Sequence, residues 1–180
     1  MIIKFFFSFL KGQKSLSELP TIGVENYINN YQLSDGTLVN VEIFDTAGQE
    51  KYRALCKNYY KKANCCLLVY DITNRKSFEE CKNYFNTNIK DNCIGDIKVI
   101  VLGNKTDLEE KRQVLSDEGS QFALENGYIF LETSCMKNTN VSDAFETLIE
   151  ITNRETKQRE NAGKQLINGK EKPKIKCCIN

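Results

Sequence analysis

Cys65-Cys66-Leu67-Leu68-Val69-Tyr70, the run CCLLVY, carries no charge and shows no alternation of polar and apolar residues. Such a run reads as a strand buried on both faces, which is the habit of a parallel sheet covered by helices. Downstream, Ile97 to Leu102 (IKVIVL) and Tyr128 to Leu131 (YIFL) repeat the pattern. Upstream, Asn26 to Leu33 and Thr37 to Asp45 flank Ser34-Asp35-Gly36, and Asp-Gly between strand-like runs signals a hairpin. Helical spacing fills the intervals. Ser77 is placed to cap a helix running to about Lys90, with Phe78, Cys81, Phe85 and Ile89 on one face. Ser116 is placed to cap a second, with Phe122 and Leu124 inward and Gly127 as its stop. A third starts near Val141 and buries Ala144, Phe145, Leu148 and Ile149. Strands alternating with helices predict an α/β domain, a mostly parallel sheet with helices on both faces. Ligands of such folds bind beyond the carboxyl ends of the strands.

The chain has 180 residues, enough for one domain with a full core, and a formal charge of +1, which implies no strong field for nucleic acid. Eight cysteines, no histidine and no C-x-x-C spacing argue against a zinc site. Cys56, Cys65, Cys66, Cys81, Cys93 and Cys135 lie in or beside apolar periodic segments and read as small core residues of a reducing compartment. The apolar start from Met1 to Leu10 is shorter than the roughly 20 residues of a membrane helix, and Ile2 to Leu10 reads as a buried strand. After about Arg159 the chain turns polar and lysine-rich, the composition of a flexible tail.

Three polar motifs sit at strand ends. Asp45-Thr46-Ala47-Gly48-Gln49-Glu50 combines a carboxylate, a glycine and a glutamine. That chemistry suits Mg²⁺ held through water by Asp45, a terminal phosphate met by the Gly48 amide, and an attacking water oriented by Gln49. Asn104-Lys105-Thr106-Asp107 closes the strand that begins at Ile97. Asp107 offers two acceptors matched to the N1–H and exocyclic amine of guanine, the Lys105 stem can cover the purine face, and Asn104 can tie neighbouring loops together. Glu132-Thr133-Ser134-Cys135 supplies backbone amides that can meet the guanine O6.

With these motifs in order the chain resembles a Ras-like small GTPase of the Rab type. DTAGQE (45–50), NKTD (104–107) and ETSC (132–135) match the family's nucleotide motifs, and TIGVE (21–25), NYYKKA (58–63) and LLVYDIT (67–73) match stretches typical of Rab proteins. The resemblance implies a Ras-like G domain that binds GTP/GDP with Mg²⁺ and switches in vesicle trafficking. It implies Thr21 as the switch threonine that ligates Mg²⁺ and reports the γ-phosphate. Asp45, Gly48 and Gln49 would start the second switch, with Gln49 catalytic, and Asn104, Lys105, Asp107, Ser134, Cys135 and Met136 would surround the nucleotide. Tyr52, Leu55 and Tyr59 would meet effectors, exchange factors and GTPase-activating proteins. Cys177-Cys178 after Lys170, Lys172, Lys174 and Lys176 resembles a double-prenylation signal read by the prenylation machinery. That places the protein on the cytoplasmic face of intracellular membranes, with a cytosolic pool. Asn26 stands where the family usually has phenylalanine, Phe44 where it has tryptophan, and Met136 where it has lysine. Asn26 and Phe44 belong to the usual effector surface.

The domain reading is an atypical segment over 1–20, a G domain over 21–159 and a basic tail over 160–180. No stretch matches the phosphate loop G-x-x-x-x-G-K-[ST]. Gly12-Gln13-Lys14-Ser15 comes nearest, with Gln13 and Ser8 where glycines belong. Only Leu16 to Pro20 separate Ser15 from Thr21, too few for the helix that the family places there. Two accounts stand. In one, the gene model is incomplete and Met1 to about Leu19 is foreign. In the other, Ile2 to Leu10 fills the first-strand position and Lys11 to Pro20 crosses directly to Thr21. The alternative to a switch is a prenylated pseudo-GTPase binding module. Because phosphate-loop amides and lysine normally hold the β- and γ-phosphates, the chain as written is expected to bind fluorescent GDP weakly. Tight, Mg²⁺-dependent binding by purified protein contradicts this.

Overall fold

A computed structural model describes residues 24–46, 61–84, 97–162 and 173–179. Strands β1 (Val24–Gln32) and β2 (Leu38–Thr46) form the expected hairpin, in antiparallel register from Val24 opposite Thr46 to Gln32 opposite Leu38. Its turn is set by Asp35, whose Oδ1 accepts the Thr37 amide at 2.8 Å, and by Gly36 at φ 81°. Strand β3 (Cys65–Asp71) is buried at every position, as its unbroken apolar run predicts. Helix α1 (Arg75–Tyr84), strand β4 (Lys98–Asn104), helix α2 (Ser116–Glu125), strand β5 (Ile129–Thr133) and helix α3 (Val141–Ala162) follow, with a 3₁₀ segment at Thr106–Lys111 after β4.

The last described strand is the one the sequence reading did not contain. Lys174–Ile179, here β6, lies in the middle of the sheet, in the order β1-β2-β6-β3-β4-β5. It runs parallel to β2, with Cys177 opposite Ile43 and Ile179 opposite Asp45. On its other side Cys177 faces Cys65, Cys178 faces Cys66 and Ile179 faces Leu67. The expected flexible tail over 160–180 is therefore corrected at both described ends: α3 carries the chain to Ala162, and 174–179 is sheet. Hydrophobic burial explains the difference. Ile175, Cys177, Cys178 and Ile179 are all buried, and each isoleucine so placed contributes roughly 1.5–3 kcal/mol. The position between β2 and β3 holds β6; Ile2–Leu10, read as a first strand, lies outside the described residues.

Period-two alternation sorts the sheet into two cores. Val41, Ile43, Cys65, Leu67, Ile175, Cys177 and Ile179 meet Ala144, Phe145, Leu148 and Ile149 of α3, the stripe predicted for that helix. Phe44, Cys66, Leu68, Tyr70 and Cys178 meet Phe78, Cys81 and Tyr84 of α1 and Phe122 and Ala123 of α2. Burial pushes the Cys81 thiol up to about 12. Cys65, Cys66 and Cys81 are buried free thiols and Cys135 a partly buried one, in keeping with the core reading, whereas Cys177 and Cys178, read as a tail motif, are buried in the core as well; Cys56 and Cys93 lie outside the described residues.

Two helix starts and one face differ from expectation. Asn74, one residue before α1, accepts the Ser77 amide through its side chain, so Asn74 is the cap and Ser77 sits in the first turn. Leu115 rather than Ser116 is the cap of α2, held by Glu118 Oε1, which accepts its amide at 3.1 Å. Leu124 is 74 % exposed, because the inward face of α2 is Gly119, Phe122 and Ala123. Gly127, at φ 71°, does stop the helix: its amide donates to Leu124 and that of Tyr128 to Ala123, the paired bonds of a Schellman motif. Gly119 lets α2 approach the sheet, since a Cβ there would collide with Tyr70 Oη and the Phe130 ring. Gly119→Ala is expected to cost about 1–3 kcal/mol through this overpacking. Thermal unfolding checks it, against a Gly127→Ala control strained by backbone conformation alone.

Candidate functional site

Two of the three polar motifs, Asn104–Asp107 and Glu132–Cys135, meet at the carboxyl edge of the sheet. Asn104 ends β4 and Thr133 ends β5, directly opposite one another. Both are buried, and a buried polar group must be bonded to be tolerated. Asn104 Oδ1 accepts from Thr133 Oγ1 at 3.3 Å and from Cys135 Sγ at 3.6 Å, while its carbonyl accepts the Ile72 amide at 3.0 Å. Asn104 thus ties the loops after β3, β4 and β5 into one unit, the tying role expected of it. Thr106 Oγ1 adds a bond to the Thr133 carbonyl at 3.2 Å.

Asp107 and Ser134 meet in front of this unit, Ser134 Oγ donating to Asp107 Oδ1 at 2.5 Å. Ser134 is buried and fixed by reciprocal bonds with Thr139 and by the Lys137 amide on its Oγ at 3.0 Å. Among the described residues only one Asp107 oxygen is engaged, and the carboxylate is partly open to solvent. Met136, half exposed, borders the same loop.

Lys105 adopts the left-handed conformation at φ 73°, an uncommon state for a lysine. Its Nζ pairs with Asp71 Oδ2 at 2.5 Å. Asp71, at the end of β3, also accepts the Thr73 amide at 2.9 Å and the Thr73 hydroxyl at 2.7 Å. Burial alone would raise this carboxyl, but Lys105 and Thr73 outweigh it and hold it below its ordinary 3.8. Sequence reading missed Asp71; its signal was a carboxylate closing an otherwise apolar strand two residues before a threonine. It also missed Arg112, whose guanidinium joins Glu132 at 2.6 Å and Glu109 at 2.6 Å and fixes the start of the β5 loop.

Asp45 stands apart from this cluster. It is buried at the end of β2, in a row with Ile179, Leu67 and Ile100, four residues short of Asn104 along the strands. That offset is about 13 Å along the sheet, with three strand spacings across it. β3 runs from Leu68 to Asp71 beyond its last pairing with β6, so the carboxyl edge is stepped, with Asp45 below and Asp71 above. A long ligand lying along that step could reach both. Asp45 is a hard oxygen donor of the kind Mg²⁺ prefers. Thr21, Gly48 and Gln49, with Tyr52, Leu55 and Tyr59, lie outside the described residues. Phe44, expected on the effector surface, is 3 % exposed and packs in the core of α1 and α2, whereas Asn26 is exposed and donates to Glu42 Oε1 at 3.0 Å.

The fold and edge define an α/β domain whose recognition loops are joined after β3, β4 and β5. The Ras family model matches residues 4–154. Ras-related protein Rab-8B of Pongo abelii is 42 % identical over 142 residues, covering 79 % of this chain and 68 % of the relative. Ras-related protein Rab-8 of Diplobatis ommata is 37 % identical over 169 residues, covering 93 % and 80 %. Human Rab-8B is 41 % identical over 142 residues. The chain belongs to the Ras family and is a Rab-type small GTPase, a Rab-like switch of vesicle trafficking. These matches favour the switch over the binding-module alternative.

Because Asp71 is held below 3.8 in the fold, its pairing stabilises fully above that pH and is lost as pH falls through the lower folded value. Asp71→Asn is therefore expected to flatten the acid-side loss of stability and to lower stability near neutrality. Urea unfolding as a function of pH reads both; an unchanged acid slope contradicts the assignment.

Proposed function

We propose that the joined loops after β4 and β5 hold the guanine base of GTP or GDP. The contact of Ser134 Oγ with Asp107 Oδ1 carries this reading, since it presents a carboxylate at the carboxyl edge of the sheet with its orientation already set. Asp107 accepts from the guanine N1–H and exocyclic amine. Adenine lacks that donor pair, so a site built on it rejects adenine by leaving Asp107 unpaired. Lys105 lies along the purine face, and the amides of Ser134, Cys135 and Met136 surround the O6 side. Asn104 borders the same nucleotide site and holds these loops together.

Asp45, through a water, and Thr21 would hold Mg²⁺, which when bound neutralises phosphate charge. Gly48 meets the γ-phosphate and Gln49 orients the water for hydrolysis. Effectors, exchange factors and GTPase-activating proteins read the loops around these residues. Cys177 and Cys178 take prenyl groups, two lipids giving stable anchorage to intracellular membranes where one gives marginal binding. No described helix is long and apolar enough to cross a membrane.

The test is the ratio of GDP to ADP affinity in competition with a fluorescent guanine nucleotide. Asp107→Ala is expected to reduce the preference for GDP at least tenfold, the loss of about 1.5–3 kcal/mol for hydrogen bonds to a charged group. Equal GDP and ADP binding by the unaltered chain contradicts the reading.

A further inference from the structure

Asp71 closes β3 directly opposite Asn104, the residue before Lys105. Every polar group it carries is engaged. Its amide donates to Ser77 Oγ at 3.0 Å, and its carbonyl accepts from the Asn74 amide at 3.0 Å and from Ser77 Oγ at 3.2 Å. The two carboxylate oxygens have separate partners. Oδ1 accepts the Thr73 amide and hydroxyl, and Oδ2 meets Lys105 Nζ at 2.5 Å. A carboxylate bonded on both oxygens is held against rotation, so it gives the ammonium a fixed point.

Lys105 is fixed at its other end too. Its backbone is left-handed at φ 73°, and its carbonyl accepts the Leu108 amide at 2.9 Å. That conformation is strained for a lysine and persists only where surrounding contacts hold it. Here Thr106 Oγ1 donates to the Thr133 carbonyl, and Asp107 is bonded by Ser134. The methylene stem therefore runs between a fixed backbone and a fixed carboxylate. The Lys105 side chain stays 39 % exposed while that of Asp71 is 10 % exposed, so the lysine can still be reached by a ligand. A lysine ordinarily loses much rotamer freedom when it is ordered. Pairing with Asp71 moves that loss to folding, before a ligand arrives. The pairing also neutralises the ammonium. What remains for a nucleotide is the apolar stem rather than a free cation for phosphate.

We propose that Asp71 is a positioning residue for base recognition: it neutralises Lys105 and holds its stem as one wall of the guanine site. The inference rests on the guanine reading of Asp107, and its test separates the two. Without nucleotide, the Lys105 Nζ resonance of the isotopically labelled, unaltered chain is expected to be protected from solvent exchange, and Asp71→Asn to remove that protection. The same exchange rate in both overturns the pairing. NMR titrations with GDP and with guanosine then read the role. Asp71→Asn is expected to weaken both by about threefold to tenfold, the ordering cost of one long side chain. Equal losses place the effect at the base. Tighter GDP binding by Asp71→Asn would mean that Lys105 serves phosphate, and overturns the proposal. Lys105→Met keeps an unbranched apolar stem and removes the ammonium. In that background Asp71→Asn is expected to add no further loss, and additive losses, as from general destabilisation, overturn the positioning role. If the unaltered chain binds GDP and ADP equally, both readings fall. If it prefers GDP and Asp71→Asn binds as tightly as the unaltered chain, the positioning role alone falls.

Discussion

The position between β2 and β3 can hold one strand, and the rest of the molecule depends on its being filled. A parallel sheet is stable only when its strands are paired on both sides and its faces are covered. β6 meets both needs, giving Ile175, Cys177 and Ile179 to the core under α3 and Cys178 to the core under α1 and α2. Without an occupant, the β1–β2 hairpin has no described strand joining it to β3, β4 and β5. The stepped carboxyl edge that separates Asp45 from the Asp107 loops would lose its definition with it.

The site inherits its order from that frame. Asn104 and Thr133 end adjacent strands, so their side chains meet without any loop having to find its own conformation. Loops fixed in this way keep the Asp107 carboxylate oriented through Ser134. Gly119 and the Schellman end at Gly127 serve the same purpose from the helical side, seating α2 close over Tyr70 and leading directly into β5.

Much of this was legible in the residues. The unbroken run at Cys65–Tyr70, the Asp-Gly turn and the stripe from Ala144 to Ile149 each have one physical reading, and the structure follows it. The cap residues were harder, because Asn74 and Ser77 are both good caps and only the chain path after β3 decides between them. Leu124 misled because a ten-residue helix offers two partly apolar faces and the sheet chose the one with Gly119. β6 was not legible as a strand, since a lysine-rich segment reads as tail unless its partners are known. Its apolar residues become a strand only through Ile43 and Cys65 on either side. Asp71 was missed for a related reason: its partner Lys105 is distant in sequence and close only after β3 and β4 pair.

The most direct measurement is the pattern of nuclear Overhauser contacts across the centre of the sheet in the isotopically labelled full chain. Cross-strand contacts are expected from Cys177 to both Ile43 and Cys65, and from Ile179 to Asp45 and Leu67. Contacts from Ile43 and Cys65 to some other segment, with none to Cys177, would contradict it.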